Sequence, residues 1–387
     1  MNNVLNQQLQ NREKAVQRLK VGIPQALLYY QYIPLWKRFF EELGAEVVIS
    51  APTNKVTVDL GVKQTVDEAC FPVKLYFGHI LELADQVDYL FVPRLVSVEE
   101  KSFICPKFLG LPDMVRHGID RLPKLISPNV NLHKGKHQVY KSVWEVGKLF
   151  TNKPWKLYQA YQKAYQQQVK YQQLLLQGLF PPDALAYLEV LTTPEVMPDS
   201  DQADCSPELA CTLEQEDLPL TIAVISHPYN LYDDHASMGL LTKLRTMGVK
   251  VLTPENVAEE TIKQQNEKLP KRLFWSMGQR LVGSAFHYLE RADVDGIIHM
   301  AAFGCGPDSF TGELIERELR RQGKKGYLSL TIDEHTGEAG VVTRLEAFLD
   351  MLQRRSDPVS LGDKVINSNK GINADKVING NKVIKGE

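Results

Sequence analysis

DGIIHMAAFGCGPDSFTGELIERELRRQGKKGYLSLTI, residues 295–332, decides the fold. GIIHMAAF is an unbroken apolar run. SFTGELIERELRRQG carries apolar residues at helical spacing and stops at a glycine. GYLSLTI is a second apolar run. Two strands joined through a helix are parallel, because a parallel pair needs a long crossover. Strands that are apolar throughout, rather than alternating, are covered on both faces.

The same alternation continues outward. Upstream lie LFWSMGQRLVGSAFHYLER (273–291) as helix, KVLTP (250–254) as strand, ASMGLLTKLRTMG (236–248) as helix and LTIAVIS (220–226) as strand; GVVTRLEAFLDMLQR (340–354) closes the half as helix. The first half repeats the scheme: LKVGIPQALL (19–28), a helix in PLWKRFFEELG (34–44), the β-branched run EVVIS (46–50), a helix in PVKLYFGHILEL (72–83), then DYLFVPRLV (88–96) and KLISP (124–128) as strands. The expected class is α/β: two doubly wound, flavodoxin- or Rossmann-like parallel-sheet domains with a helical insert. The predicted division is a polar segment 1–18, a first α/β domain 19–132, a helical insert 133–191, an acidic linker 192–219, a second α/β domain 220–355 and a low-complexity tail 356–387 in which DKVIN recurs. The halves share a layout. A first strand ends near Leu27 or Ser226, tyrosines follow at a turn (Tyr29 and Tyr30; Tyr229 and Tyr232), and a cysteine lies beyond the third strand, 78 and 79 residues on.

Composition excludes several classes. Lys plus Arg is 45 and Asp plus Glu is 47 in 387 residues, so the charge is −2 and no basic excess marks a nucleic-acid or membrane-surface binder. With 43% hydrophobic and 24% charged residues the chain is not broadly disordered. It has no apolar run long enough for a bilayer and no signal-peptide core, so a soluble cytoplasmic protein is expected. Eight lysines against one acid in 133–170 read as a solvated face or as a dock for an acidic partner or the chain's own linker, which holds eight acids and no Lys or Arg.

Five cysteines, an odd number without an export signal, argue against a disulfide framework. Cys205 and Cys211 lie in the acidic linker and read as free thiols. The other three share a local grammar: EACFPVK (68–74), FICPK (103–107) and FGCGPDS (303–309) each place a proline within two residues of the cysteine, and a helix follows. Proline favours the first helical turn, so each sulfur is expected at a helix N-terminus, where free N–H groups and the helix dipole favour negative charge. Ligands of open α/β sheets collect at the carboxyl ends of the strands, so two facing domains would bring Cys70, Cys105 and Cys305 to one crevice. Three readings follow: a shared metal site, buried core cysteines, or one catalytic thiol.

Two further segments follow strands. In IDEHTGEAG (332–340), Asp333, Glu334, His335 and Glu338 are candidate proton donors or neighbours of a bound group; as a structural alternative, Asp333 or Thr336 caps the closing helix. In SHPYNLYDD (226–234), His227, Tyr229, Asn230 and Asp233 sit where ligands bind, and turn formation with an Asp233 or Asp234 cap explains them as well. Lys74 and Lys107 are placed to offset negative charge near two cysteines, or are simply solvated. Arg344 and Glu346 read as a structural ion pair. No P-loop or G-x-G-x-x-G is present.

GIPQALLYYQYIPLWKRFFEELGAEVVIS, EACFPVK, HPYNLYDD, DGIIHMAAFGCGPDS and TIDEHTGEAGVVTRLEAFLD together resemble the iron–sulfur superfamily of 2-hydroxyacyl-CoA dehydratases and benzoyl-CoA reductases. More closely, they resemble its acyl-CoA dehydratase activase-related branch, kin of the double-cubane cluster proteins. The likeness runs from about residue 20 to 355, without the linker. It implies a [4Fe–4S] cluster held by Cys70, Cys105 and Cys305. It implies as partner an ATP-dependent activator with its own iron–sulfur cluster, which delivers low-potential electrons. It also implies reductive or radical chemistry on an acyl-CoA or another small substrate, in a homo- or heterodimer. No CoA-binding segment or dehydratase active-site pattern is matched, three shared cysteines do not suffice for a double cubane, and no activator ATPase domain is recognised. The alternative function is a non-enzymatic cluster-carrying assembly or regulatory subunit, or a metal-free scaffold.

Overall fold

The computed structural model describes residues 18–133, 135, 137–192 and 219–356. Apart from their end residues, the polar N-terminal segment, the acidic linker with Cys205 and Cys211, and the low-complexity tail lie outside the described residues.

The first lobe runs β1 (Lys20–Ile23), α1 (Tyr29–Glu42), β2 (Glu46–Ile49), α2 (Lys55–Gln64), α3 (Phe71–Leu83), β3 (Tyr89–Phe91), β4 (Arg94–Ser97), α4 (Pro106–Gly118), β5 (Lys124–Ile126) and β6 (Asn129–Asn131). Its main sheet has the order β2-β1-β3-β5, all parallel, and β4 and β6 form a separate parallel ribbon. Three helices follow: α5 (Gln138–Gly147), α6 (Pro154–Leu176) and α7 (Pro181–Thr192). The second lobe runs β7 (Leu220–Ile225), α8 (Pro228–Leu231), α9 (Leu240–Thr246), β8 (Val249–Leu252), α10 (Glu259–Asn266), α11 (Ser276–Glu290), β9 (Gly296–Ala302), α12 (Gly306–Gln322), β10 (Gly326–Ile332) and α13 (Glu338–Ser356). Its sheet has the order β10-β9-β7-β8, again all parallel.

The two sheets therefore share one topology. Counted within each lobe, the order is second, first, third, fourth, the start of the flavodoxin-like order. In each lobe the crossover from second to third strand holds two helices, α2 with α3 and α10 with α11. Both pairs cross through glycine. A Cβ on Gly78 would lie 2.0 Å from the Thr57 carbonyl oxygen, and one on Gly283 would lie 2.7 Å from that of Ile262.

One apolar cluster passes from Val21 and Phe40 of the first lobe through Leu157, Ala160 and Ala164 of α6 to Val224 and Ile298 of the second. Polar links also join the lobes. Tyr30 Oη donates to the Tyr232 carbonyl at 2.7 Å, Thr53 Oγ1 bonds Asp233, and Lys74 pairs with Glu334.

Some boundaries differ from the sequence expectation. The first strand ends at Ile23, not near Leu27, and Tyr29 and Tyr30 open the first helix instead of lying in a turn. That helix passes through Pro34, where the pattern begins it. Proline at this position frees the carbonyl of Tyr30, and Tyr171 Oη of α6 donates to it at 2.6 Å. The helix expected over 236–248 begins only at Leu240, because Met238 (φ 56°) and Gly239 (φ 63°) are left-handed. Pro93 splits the expected strand 88–96 into β3 and β4.

Candidate functional site

Cys70, Cys105 and Cys305 are the residues immediately before α3, α4 and α12, each with proline in the first helical turn. None makes a side-chain capping bond. All three are half-buried free thiols lining one cavity at the carboxyl ends of both sheets. The helix starts supply much of the wall: Pro72 and Val73 from α3, Lys107 and Phe108 from α4, Met277 and Gly278 from α11, and Pro307 and Thr311 from α12. Four long-helix N-termini, two from each lobe, thus face one space beside the start of the short α8. Cysteine begins three of them and Trp275 the fourth. Leu27 lines the cavity with φ 52°, a left-handed conformation costly for a branched side chain.

The lobes meet at the sulfurs. Gly304 (φ 77°) turns the chain between β9 and Cys305, and a Cβ there would lie 3.4 Å from Cys70 Cα. Beside this contact Phe103 stacks on Phe274 with ring centroids 4.9 Å apart, and Phe103 pairs with Trp275 as a parallel bridge.

Electrostatics decide which form the thiols take. Burial pushes the Cys70 thiol up, as does charge on Cys105; the Val73 N–H and the Lys107 charge oppose them and lose. Burial also raises Cys105 against the N–H and charge of Lys107. Cys305 is raised furthest, by burial and then by Asp308, with Cys70 and Cys105 adding to it; the Asp308 N–H opposes. The helix ends are therefore not sufficient to ionise these sulfurs at neutral pH. A lone activated thiol is disfavoured, whereas a cation bound by all three would cancel their mutual repulsion and deprotonate them. Three sulfurs on an apolar cavity, each at a positive helix end, are a donor set that fits an anionic iron–sulfur cluster.

The second lobe adds a polar group that the first lacks. His227, one residue before α8, lines the cavity and stacks on Tyr229 at 4.9 Å. Its Nε2 lies 3.7 Å from Asp308 Oδ1, and His299 Nε2 of β9 lies 3.5 Å from the same oxygen. His227, Cys305 and Asp308 each offer a ligand atom within 4.8 Å of the others. Burial lowers the His227 pKa, keeping the ring neutral against the pull of Asp308. Burial raises Asp308, but the two histidines and Thr311 outweigh it and hold the carboxyl below its ordinary value. Tyr229 is pushed well up by burial, then by the charges of Cys305, Asp308 and the other two cysteines.

The remaining candidates lie elsewhere. Asp333 accepts from the His335 N–H at 2.9 Å and from Thr336 Oγ1 at 2.8 Å, closing the turn before α13. Glu334 bonds Lys74 across the lobes, so of the two lysines it is Lys107 that lines the cavity. His335 is exposed, and Glu338 pairs with Lys243 at 2.8 Å. Asp233 bonds Thr53 and the Ala236 N–H, whereas Asn230 is buried with its Nδ2 unpartnered. Arg344 donates to the Ser329 carbonyl. Sequence reasoning missed Asp308, His299 and Trp275. Asp308 stands inside the quoted motif FGCGPDS, three residues after the cysteine, and was the one legible signal.

Among the described residues no helix is long and apolar enough to cross a membrane. A family model described as the CoA enzyme activase uncharacterised domain matches residues 20–257, more than half of the chain. No curated protein matches it.

Proposed function

We propose, for a chain that belongs to the family of the CoA enzyme activase uncharacterised domain, a role as a cluster-holding component of the acyl-CoA dehydratase system. Family membership relates it to the acyl-CoA dehydratase activase branch. In this reading Cys70, Cys105 and Cys305 hold a [4Fe–4S] cluster that takes low-potential electrons from an ATP-dependent activator and passes them to a small substrate, an acyl-CoA by resemblance. The observation that carries it is the convergence of three cysteines, from three helix starts and both lobes, on one cavity.

A bound cluster supplies one-electron redox chemistry. The chain's own residues set its conditions. Helix N-termini and Lys107 oppose the negative charge of the thiolates. Leu27, Val73, Phe108 and Met277 wall the cavity and exclude water. His227 and Tyr229, both neutral, line the cavity from the second lobe. A non-catalytic carrier would need the same site, so turnover after reduction by the activator separates enzyme from carrier.

Anaerobic purification with iron and acid-labile sulfide assays tests the reading. Iron and sulfide in near-equal amounts in the wild type, both lost in Cys305→Ala, support it. Iron fully retained in Cys305→Ala removes that residue from the ligand set, and zinc without sulfide favours a metal scaffold.

A further inference from the structure

Three cysteines leave one corner of a four-iron cluster without a sulfur ligand. The corresponding helix start in the second lobe carries Trp275 instead of a fourth cysteine, and indole nitrogen donates only. A fourth donor supplied by the chain therefore comes from another element that reaches the cavity. Of its lining residues, His227 has an accepting ring nitrogen, stands 5% exposed, and lies with Cys305 inside the 4.8 Å group.

We propose that His227 is the fourth ligand, completing a Cys3His set on the group described above, and that Asp308 and His299 are positioning residues behind it. This rests on the cluster reading of the site. The neighbourhood behind the ring is built for a metal-bound imidazole. A ligating histidine is usually oriented by a carboxylate behind its other nitrogen, which fixes tautomer and ring plane. Asp308 stands beside the ring, wholly buried, with its Oδ1 3.7 Å from His227 Nε2 and its Oδ2 unpartnered. His299 Nε2 is likewise buried and unpartnered. Orphaned buried polar atoms are costly and mark the group as more than packing. One ring nitrogen of His227 lies within 4.8 Å of both the Cys305 sulfur and an Asp308 oxygen, so the imidazole borders sulfur and carboxylate together. Tyr229 stacks on the ring and restricts its rotation. The first lobe has no counterpart: there the chain after β1 offers Gln25, Ala26 and Leu27.

The test is pulsed electron paramagnetic resonance on the full chain, purified anaerobically and reduced by one electron with dithionite, with 14N- or 15N-labelled histidine. The expected result is a strong nitrogen hyperfine coupling that changes isotope with the histidine label. It disappears in His227→Asn and survives in Tyr229→Phe, while all three proteins keep iron and sulfide. An iron- and sulfide-loaded wild type whose reduced-cluster signal carries no histidine coupling overturns the fourth-ligand assignment and leaves the cluster reading standing. A wild type without iron overturns both. The labelled wild type needs no variant, so the measurement decides even if His227→Asn fails to fold. In Asp308→Asn the coupling is retained with an altered magnitude if Asp308 orients the ring; an unchanged coupling removes Asp308 from that role.

Discussion

The two lobes share a strand order and a pair of glycine-crossed helices, yet they furnish the cavity differently. The first gives two sulfurs, Cys70 and Cys105, amid apolar neighbours and one lysine. The second gives one sulfur, Cys305, with the Asp308 carboxylate and two imidazoles against it. A doubled fold thus supplies symmetric helix ends but an asymmetric ligand field. The backbone fixes where charge is welcome, and side chains at equivalent positions decide what binds there. Cys70 and Trp275 stand at the same topological point, the residue before the second crossover helix. That one difference separates a four-sulfur site from a three-sulfur site with a histidine beside it.

The sharpest way to break the comparison is at the glycines. In the first lobe the clash is with backbone: a Cβ on Gly78 meets the Thr57 carbonyl oxygen at 2.0 Å, so α2 and α3 must separate. Gly78→Ala is expected to cost more than about 3 kcal/mol, the upper range for overpacking, because alanine's helix preference of ~1 kcal/mol recovers only part of it. It also moves the start of α3, and with it Cys70, so iron content falls with stability. In the second lobe the approach is looser: a Cβ on Gly283 meets Asn266 Nδ2 at 2.6 Å and the Ile262 carbonyl oxygen at 2.7 Å, and α11 carries no cysteine. Gly283→Ala should cost about 1–2 kcal/mol and leave iron content unchanged. Denaturant midpoints and iron assays on both variants check the contrast, and equal iron loss would mean that helix spacing does not set the site.

Buried histidines sharpen it next. His79 in α3 is fully buried, with Nε2 held by Thr53 Oγ1 at 2.9 Å and Nδ1 unpartnered; burial lowers its pKa from 6.5 to about 4. The unfolded chain takes up a proton below pH 6.5 and the folded chain does not until near pH 4. Stability from this group is therefore complete above the unfolded value and falls with pH through that window, by about 3 kcal/mol in all. His227 is lowered too, by burial against the opposing pull of Asp308, so it acts in the same direction. Unfolding free energies from pH 7 to 4 should fall steeply in the wild type and less steeply in His79→Leu. Parallel curves would mean that His79 takes up its proton without unfolding.

How far this asymmetry was legible in the sequence follows from how local each cause is. Apolar runs of β7, β9 and β10 announce buried parallel strands, and the proline after each of three cysteines announces three helix starts; those signals lie within a few residues. The convergence of those starts followed from topology, since helices that cross back over a parallel sheet begin near its strand ends. Helix α2 gave little periodic signal, because its inner face is Thr57, Val58 and Gly61, chosen for close approach and not for apolar bulk. Pro34 misplaced the start of α1 because the compensating donor, Tyr171, is 141 residues away. Asp308 and His299 read as an ordinary helix-start acid and a strand residue until the fold stacks them behind His227.

A smaller effect is expected at the turn where the lobes touch. Gly304 holds φ 77°, where an alanine costs about 1–2 kcal/mol, although its Cβ would make only ordinary contact with Cys70. Gly304→Ala should lower stability by that amount and slow iron reconstitution, as relaxation of the turn carries Cys305 away from Cys70. Leu27, left-handed on the facing side, makes the complementary case: Leu27→Gly removes the strain along with a buried side chain, so it should destabilise less than a typical leucine truncation. Thermal melts of the two variants with matched iron content separate strain from packing.

The finest comparison lies between the helices that follow the first strand of each lobe. In the second lobe this stretch is broken into the short α8 and α9, and the Tyr232 hydroxyl bonds within its own lobe, to Thr253 at 2.9 Å and Glu255 at 2.7 Å. In the first it is the single helix α1, whose Tyr30 carbonyl depends on the helical insert because Pro34 has no N–H to give. Tyr171→Phe therefore orphans a buried carbonyl and should cost about 2 kcal/mol, within the 1–3 range for an unsatisfied buried group. In a Pro34→Ala background the alanine N–H supplies the missing bond, and the same substitution should cost less than about 1 kcal/mol. The difference is the coupling energy of a double-mutant cycle read by denaturant unfolding. A coupling near zero would show that Tyr171 holds the insert to the first lobe through its ring alone, and that the proline inside α1 owes nothing to the hydroxyl above it.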